Sequence, residues 1–111
     1  MNLNQIQNVY FIGIGGIGMS ALARYFKTIG KQVSGYDKTP SILTSELIES
    51  GIDIHFEDNI SLIPKDYFIE NTLVIITPAI PVKHSEWKYF LEREYQVKKR
   101  AEVLGIITKD T

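Results

Sequence analysis

The chain has 111 residues, of which 44% are hydrophobic and 23% charged, the composition of an ordinary globular domain. Its formal net charge is −1, so no overall positive field attracts nucleic acid or an anionic membrane. The absence of cysteine excludes a disulfide framework and a thiolate metal site. No apolar run approaches the ~20 residues that cross a bilayer, and the polar residues 2–5 do not open a signal peptide. We expect one cytoplasmic domain over residues 1–111, with neither a membrane nor nucleic acid as partner.

A buried strand followed by a helix opens the chain. Residues 9–14 form a continuous apolar run, which is typical of a strand covered on both faces. From Gly16 the apolar residues recur at helical spacing as far as Ile29, and Gly30 suits the left-handed position that ends a helix. The pattern therefore predicts a strand, a glycine loop and a largely buried helix in succession.

The glycine loop predicts a phosphate-binding site. Gly13, Gly15 and Gly18 match G-x-G-x-x-G. In that pattern the first glycine permits a tight turn, the second lets the backbone approach a diphosphate, and the third allows close packing of helix on sheet. Gly16 opens the loop further, and the first amides of the next helix have no intrahelical acceptor. An ordinary strand-to-helix turn is the alternative, but the flanking strand and helix favour nucleotide binding.

A second phosphate-binding pattern, the ATPase P-loop, fits the same stretch less well. Gly13, Gly18 and Ser20 match the spacing G-x-x-x-x-G-K-[ST], but Met19 stands at the lysine position. Without that lysine the loop lacks the charge that reaches the β- and γ-phosphates of ATP. We therefore expect no ATP hydrolysis at this loop.

The second predicted strand, residues 32–36, ends at an acidic residue. Asp37 lies 19 positions beyond Gly18, where a carboxylate can accept hydrogen bonds from both hydroxyls of a ribose. It would repel a 2′-phosphate, so a nicotinamide cofactor would be NAD rather than NADP. A solvated aspartate at a strand end is the alternative. A ribose does not reveal its base, and uridine and adenosine nucleotides satisfy Asp37 equally.

The middle of the chain continues the alternation of helix and strand. Thr39 and Pro40 supply an N-cap and a first helical residue for a helix that runs to Gly51. Residues 52–56 predict a short third strand, and residues 57–68 an irregular crossover.

The remaining elements complete the predicted fold. Residues 72–77 indicate another doubly buried strand, residues 86–95 an amphipathic helix, residues 96–98 a short strand and residues 100–107 a closing helix. The alternation predicts an α/β fold: a Rossmann-like, three-layer structure with a parallel five-stranded sheet and helices on both faces. The expected strand order is 3-2-1-4-5.

The loop after the fourth strand is a second candidate for ligand contact. In the expected sheet, strands 1 and 4 diverge at the topological switch point, so this loop faces the glycine loop across a crevice. Thr77 can donate to a phosphate or sugar, and Ala79 and Ile80 can wall a base. Pro78 and Pro81 stop the strand from extending. A rigid connector without contact to ligand is the alternative.

Histidines give the weakest site signals. His55 and His84 have no acid or nucleophile nearby in sequence and lack metal-ligand spacing. We interpret His55 as structural and keep His84, just after the proline loop, as a possible ligand contact. No catalytic dyad, triad or metal site is predicted.

Four segments together resemble the N-terminal domain of the Mur ligase family of peptidoglycan synthesis. They are the glycine loop at residues 11–20, the strand at residues 33–37, the loop at residues 77–80 and the segment Arg-Ala-Glu-Val-Leu at residues 100–104. The likeness covers nearly the whole chain in the right order. Departures are Pro78, where the family often has serine, and His84, where asparagine is common.

The resemblance implies a substrate-binding fragment of a three-domain ligase. In that family this domain binds the UDP part of UDP-N-acetylmuramate, a central domain binds ATP and Mg²⁺, and a third receives the amino acid. The fragment itself would hold no cofactor, would catalyse nothing alone, and would lack the two C-terminal domains. By position, the diphosphate-binding residues would be Gly13, Gly15, Gly16, Ile17 and Gly18. Those on the ribose and uracil side would be Asp37, Thr77, Pro78, Ala79 and Ile80, with His84 as a further candidate.

Three alternatives stay open. The relative that recycles a tripeptide usually lacks the double glycine at Gly15 and Gly16, which favours the alanine-adding branch. A regulatory NAD-binding module of the potassium-transport type shares the fingerprint and needs a second acid after the third strand, where Glu57 and Asp58 lie. A dehydrogenase is disfavoured because 111 residues leave no room for a substrate domain with catalytic groups.

Overall fold

Strands and helices alternate along residues 2–109, the part of the chain that the computed structural model describes. The strands are β1 (Asn8–Ile12), β2 (Gln32–Tyr36), β3 (Asp53–His55), β4 (Thr72–Ile76) and β5 (Gln96–Lys99). The helices are α1 (Ile17–Thr28), α2 (Ile42–Glu49), α3 (Ser85–Glu92) and α4 (Arg100–Lys109). Short 3₁₀ turns lie at Leu3–Gln5 and Ile60–Leu62. Met1 and residues 110–111, the ends of the predicted domain, lie outside the described residues.

The sheet confirms the predicted fold class. All four strand pairs are parallel, and the order is β3-β2-β1-β4-β5. The central strands β1 and β4 are buried along their whole length, which explains their continuous apolar sequences. Because β1 lies between β2 and β4, the loops that follow these three strands converge at one edge of the sheet.

The two faces of the sheet are covered by different helices and have different cores. One face carries α1, α2 and α4 over an apolar cluster that includes Val9, Phe11, Leu22, Phe26, Leu47, Leu73, Ile75 and Val103. The other carries α3 over an aromatic cluster formed by Tyr10, Ile12, Tyr36, Ile63, Tyr67, Val74, Ile76 and Phe90. Successive residues of β1 alternate between the clusters, as the pleat of a strand requires.

Helix α2 begins two residues later than predicted. Its N-cap is Ser41, whose side-chain oxygen accepts from the Thr44 N–H at 3.2 Å, while the Thr44 hydroxyl oxygen accepts from the Ser41 N–H at 2.8 Å. This reciprocal capping box satisfies two backbone donors at once. The predicted cap, Thr39, instead donates its backbone N–H to Asp37.

Helix α1 buries less apolar surface than predicted, and α3 buries a carboxylate. On α1, Ile17 is 84% exposed and Ile29 is 47% exposed, because only one stripe of the helix faces the sheet. On α3, Leu91 is 51% exposed, and the buried positions are Glu86 and Phe90, one helical turn apart. The predicted Gly30 C-terminus of α1 is confirmed by a φ of 93°. Within residues 2–109, no helix is long and apolar enough to cross a membrane.

Candidate functional site

The glycine loop leaves β1 through a tight turn at Gly13. Strand β1 ends at Ile12 rather than at Ile14, since Gly13 has a φ of 94°, a conformation that disfavours any side chain. The N–H groups of Gly13 and Ile14 both donate to the Tyr36 carbonyl oxygen, at 2.8 and 3.0 Å. A Cβ at Gly13 would overlap the Thr77 side chain. Gly13 therefore brings the glycine loop directly against the loop after β4.

Gly15 approaches Asp37, not open space. Its N–H donates to Asp37 Oδ2 at 2.7 Å, and a Cβ at Gly15 would lie 2.8 Å from that oxygen and 2.9 Å from Thr44 Cγ2. Asp37 Oδ1 accepts from the Thr39 N–H at 3.0 Å. The carboxylate thus fixes the glycine loop, and because each oxygen has a second lone pair it can still accept from a ribose.

The first amides of α1 are the open anion donors of the site. The N-cap Gly16 has no side-chain cap, and the first backbone bond of the helix runs from the Ser20 N–H to the Gly16 carbonyl oxygen at 2.8 Å. Within the described chain, the N–H groups of Ile17, Gly18 and Met19 have no acceptor. Unpaired amides and the helix dipole together favour a phosphate.

Gly18 departs from the role predicted for the third glycine. A Cβ there would lie 2.6 Å from Arg100 Cζ, so the glycine makes room for an arginine of α4 rather than for the sheet. The glycine that allows close packing within the sheet is Gly35, where a Cβ would lie 2.5 Å from the Phe11 carbonyl oxygen.

A cavity of about 640 Å³ joins the predicted ligand loops. From the sequence-predicted set it is lined by Gly13, Gly16, Asp37, Thr77, Ala79, Ile80 and His84. Pro78 lines a smaller cavity next to it together with Gly18. Gly15 and Ile17 line neither cavity, since Gly15 is turned to Asp37 and Ile17 is exposed. The expected crevice between the two loops is present, and the ligand contacts themselves stay a prediction.

Five lining residues were not assigned to the ligand site by sequence reasoning: Tyr36, Lys38, Asp58, Pro81 and Lys83. Lys38 follows Asp37 directly and Lys83 precedes His84, so proximity to predicted residues was the available signal. The cavity lining thus contains two cations, Lys38 and Lys83, beside the two carboxylates of Asp37 and Asp58. Burial, and secondarily the Asp58 carboxylate, raise the pKa of Tyr36 above its ordinary value.

His84 lies at the wall between the cavity and α3. It is the N-cap of α3, and its Nδ1 lies 3.4 Å from the Trp87 backbone N and 3.3 Å from Asp58 Oδ1. Its ring packs edge-on against Tyr36 at 4.7 Å, and among residues 2–109 its buried Nε2 has no hydrogen-bond partner. His84 therefore has a structural task in addition to any contact with ligand.

Asp58 is engaged by the start of α3. Its two oxygens accept from the backbone N–H groups of Ser85 at 2.8 Å and Glu86 at 3.0 Å. An acid that caps a helix contributes to that helix's stability. Of the two acids that a dinucleotide module could use after the third strand, Glu57 and Asp58, Asp58 is thus committed to α3.

A fully buried carboxylate holds the loop after β3. Glu86 accepts from the Tyr10 hydroxyl, lies 2.7 Å from His55 Nε2, and accepts from the Asn59 N–H at 3.1 Å. Burial, and then the Glu86 charge, raise the pKa of Tyr10 far above its ordinary value. This cluster joins β1, β3 and α3 and thereby positions the neighbouring Asp58. His55 takes part as a structural residue.

The residues at the P-loop spacing and the titratable side chains of the described chain bear on the ATP and metal predictions. Met19, at the lysine position of the P-loop spacing, is 4% exposed and belongs to the apolar cluster. Across residues 2–109 no group of three or more histidine, aspartate or glutamate residues is arranged to hold a metal ion.

Sequence and fold relate the chain to one group of known proteins. Residues 8–111 match the model of the Mur ligase family, catalytic domain. The whole chain is 90% identical to the UDP-N-acetylmuramate–L-alanine ligase of Flavobacterium psychrophilum and covers 25% of it. It is 54% identical to the ligase of that name from Parabacteroides distasonis and covers 24% of it. The chain thus spans about a quarter of the length of these curated relatives.

Solved structures give the same relationship. The UDP-N-acetylmuramate–alanine ligase of Thermotoga maritima matches 93% of this chain and 23% of its own, with a TM-score of 0.83 and 27% identity. A UDP-N-acetylmuramate:L-alanyl-gamma-D-glutamyl-meso-diaminopimelate ligase from Neisseria meningitides matches 86% of this chain and 29% of its own, with a TM-score of 0.74. At 21% identity the second match speaks only to the fold.

Proposed function

The chain belongs to the Mur ligase family, and we propose that it is the substrate-binding domain of a longer ATP-dependent ligase that joins L-alanine to UDP-N-acetylmuramate. The observation that carries the proposal is the crevice between the glycine loop and the loop after β4, together with the unpaired amides in the first turn of the adjoining helix α1. The names of the relatives of 90% and 54% identity supply the substrate.

The domain binds and orients the nucleotide and performs no bond-making step. The diphosphate lies at the N–H groups of Ile17, Gly18 and Met19, where the helix dipole adds about half a positive charge. Asp37 accepts from the ribose while it holds Gly15 in place. The uridine occupies the larger cavity, walled by Ala79 and Ile80. The substrate end that reacts then projects out of the crevice toward the rest of the ligase.

ATP and Mg²⁺ belong to other parts of the proposed ligase. Met19 replaces the lysine of a P-loop, and the described residues offer no metal ligands in a group. We therefore assign residues 1–111 a single UDP-sugar-binding domain, active in the cytoplasm as part of the longer enzyme. By itself the domain is catalytically inactive.

Binding of two ligands to the 111-residue chain, measured by isothermal titration calorimetry, tests the proposal. We expect UDP-N-acetylmuramate to bind and NADH not to bind. Asp37→Asn weakens that binding about tenfold, because it removes a charged acceptor, whereas Asp53→Asn, on the exposed first residue of β3, leaves it unchanged. Binding of NADH without binding of UDP-N-acetylmuramate would replace the proposal with the regulatory NAD module.

A further inference from the structure

A second cavity adjoins the first on the α4 side of the glycine loop. It has a volume of about 390 Å³ and shares Gly16 and Thr77 with the larger cavity. Its lining includes Lys99 and Arg100 and contains no carboxylate. The two cavities therefore form one crevice that is divided at the shared residues Gly16 and Thr77. One end is lined by charges of both signs, and the charged residues of the other end are all cationic.

Arg100 reaches this cavity through a gap that only glycine leaves. Its side chain lies against Gly18 in the first turn of α1, where a Cβ would come within 2.6 Å of Arg100 Cζ. Within the described chain, the guanidinium has no hydrogen bond or ion pair, and the residue is solvent-exposed. A ligand that enters the cavity can therefore accept hydrogen bonds from the guanidinium N–H groups of Arg100 that face the cavity.

The position of Arg100 is unfavourable for helix stability. It is the first residue of α4 and lies over the first turn of α1, so its charge faces the positive ends of two helix dipoles. The nearest acid in sequence, Glu102, does not neutralise it, because Glu102 Oε1 accepts from the Lys99 N–H at 2.9 Å. A bound anion would reverse this electrostatic penalty.

We propose that Arg100, assisted by Lys99, binds the phosphate of the diphosphate that is farther from the nucleoside. The inference rests on the proposed function. A uridine in the larger cavity places its first phosphate near Gly16, and the second then crosses the division between Gly16 and Thr77 into the cationic cavity. Arg100 is a binding residue that distinguishes nucleoside diphosphates from monophosphates.

Calorimetric titration of UMP, UDP, UDP-N-acetylglucosamine and UDP-N-acetylmuramate tests this assignment on the wild-type chain and on Arg100→Gln. We expect Arg100→Gln to bind UDP and both UDP-sugars about tenfold more weakly, the effect of one charge-assisted hydrogen-bond pair, and to bind UMP within twofold of wild type. Arg24→Gln removes the same charge from the exposed Arg24–Glu46 pair and leaves all four affinities unchanged. Thermal unfolding confirms that both variants are folded.

Each other result has a distinct meaning. Equal loss of UMP and UDP affinity in Arg100→Gln places Arg100 elsewhere on the ligand and overturns the inference. Loss confined to UDP-N-acetylmuramate assigns Arg100 to the carboxylate that this sugar carries and overturns it as well. Wild-type affinity for UDP in Arg100→Gln overturns the inference alone. Failure of the wild-type chain to bind any uridine nucleotide refutes the proposed function, and the inference falls with it.

Discussion

The two faces of the sheet solve the same packing problem with different chemistry. Under α1, α2 and α4 the sheet packs on a continuous apolar cluster, whose stability derives mainly from burial and close packing. Under α3 the cluster contains three tyrosines, and one of them, Tyr10, donates to a fully buried glutamate whose partners come from β1, β3 and the loop after β3. The first face is a scaffold that tolerates changes of apolar shape, whereas the second depends on every partner being in place.

This difference bears on the ligand crevice. Gly16 and Met19 reach the smaller cavity from the apolar face, while Tyr36, Asp58 and His84 reach the larger cavity from the aromatic face. We therefore expect substitutions in the apolar cluster away from Met19 to change stability and leave ligand affinity intact. Substitutions in the buried polar network should change both.

The largest loss of stability is expected in the apolar cluster. Phe26→Ala removes a ring that is 0% exposed and lowers the free energy of unfolding by about 3–5 kcal/mol. Tyr25→Ala, on the neighbouring residue of α1 with a 39% exposed side chain, costs less than half as much. Urea denaturation measures both. Equal losses for the two variants would show that α1 packs differently from the structure described here.

Glu86→Gln tests whether the buried polar network under α3 supports both the stability of the fold and the binding of ligand. The neutral amide keeps the volume but cannot accept from all its present donors, so we expect a loss of about 3 kcal/mol in urea denaturation. Affinity for UDP-N-acetylmuramate should fall too, because Asn59 and its neighbour Asp58 lose their anchor. Glu46→Gln, on an exposed surface pair, serves as control with less than about 1 kcal/mol. If Glu86→Gln is destabilised but binds the ligand as tightly as wild type, the buried hydrogen bonds of Glu86 do not position the ligand crevice.

Alkaline pH probes the aromatic cluster through Tyr67. Burial raises the pKa of Tyr67 from its ordinary value of 10.0 to about 12. The folded state therefore keeps a proton that the unfolded state releases. The resulting stabilisation is complete below pH 10.0 and is lost as the pH rises toward about 12.

Tyr67→Phe should reduce the steepness of that loss by up to about 1.4 kcal/mol per pH unit. Urea denaturation from pH 8 to pH 12 measures how the free energy of unfolding of wild type and variant changes with pH. The two free energies at pH 8 show how much the substitution itself alters packing. Identical slopes would show that Tyr67 ionises as readily in the folded chain as in the unfolded one.

The smallest expected effect concerns the start of α2. Ser41→Ala removes the hydroxyl that accepts from Thr44 and costs about 1 kcal/mol. Thr39→Ala, at the cap that the sequence pattern suggested, should change stability by less than about 0.5 kcal/mol. Thermal unfolding of the two variants shows which residue caps α2. A larger loss of stability in Thr39→Ala than in Ser41→Ala would show that the helix begins at the earlier, sequence-predicted position.

The local sequence pattern was sufficient to predict the strands and their order, but it did not predict the buried polar contacts. The apolar runs of β1 and β4 and the turn at Gly13 each depend on a few neighbouring residues, and they led to the correct strand order. Glu86 pairs with residues 31 and 76 positions away, so no local pattern indicates its burial. The same holds for Gly18, whose neighbour Arg100 lies in the last helix. Thr39 and Ser41 are both suitable caps, and only hydrogen-bond geometry separates them.

The central claim is that the glycine loop binds the diphosphate of a UDP-sugar. Amide chemical shifts of the ¹⁵N-labelled chain, followed during titration with UDP-N-acetylmuramate, test it most directly. We expect the largest shifts at Ile17, Gly18 and Met19, with further shifts at Asp37 and Thr77, and small shifts throughout the aromatic cluster away from Tyr36. Saturable binding that leaves the amides of Ile17, Gly18 and Met19 unshifted would contradict the account.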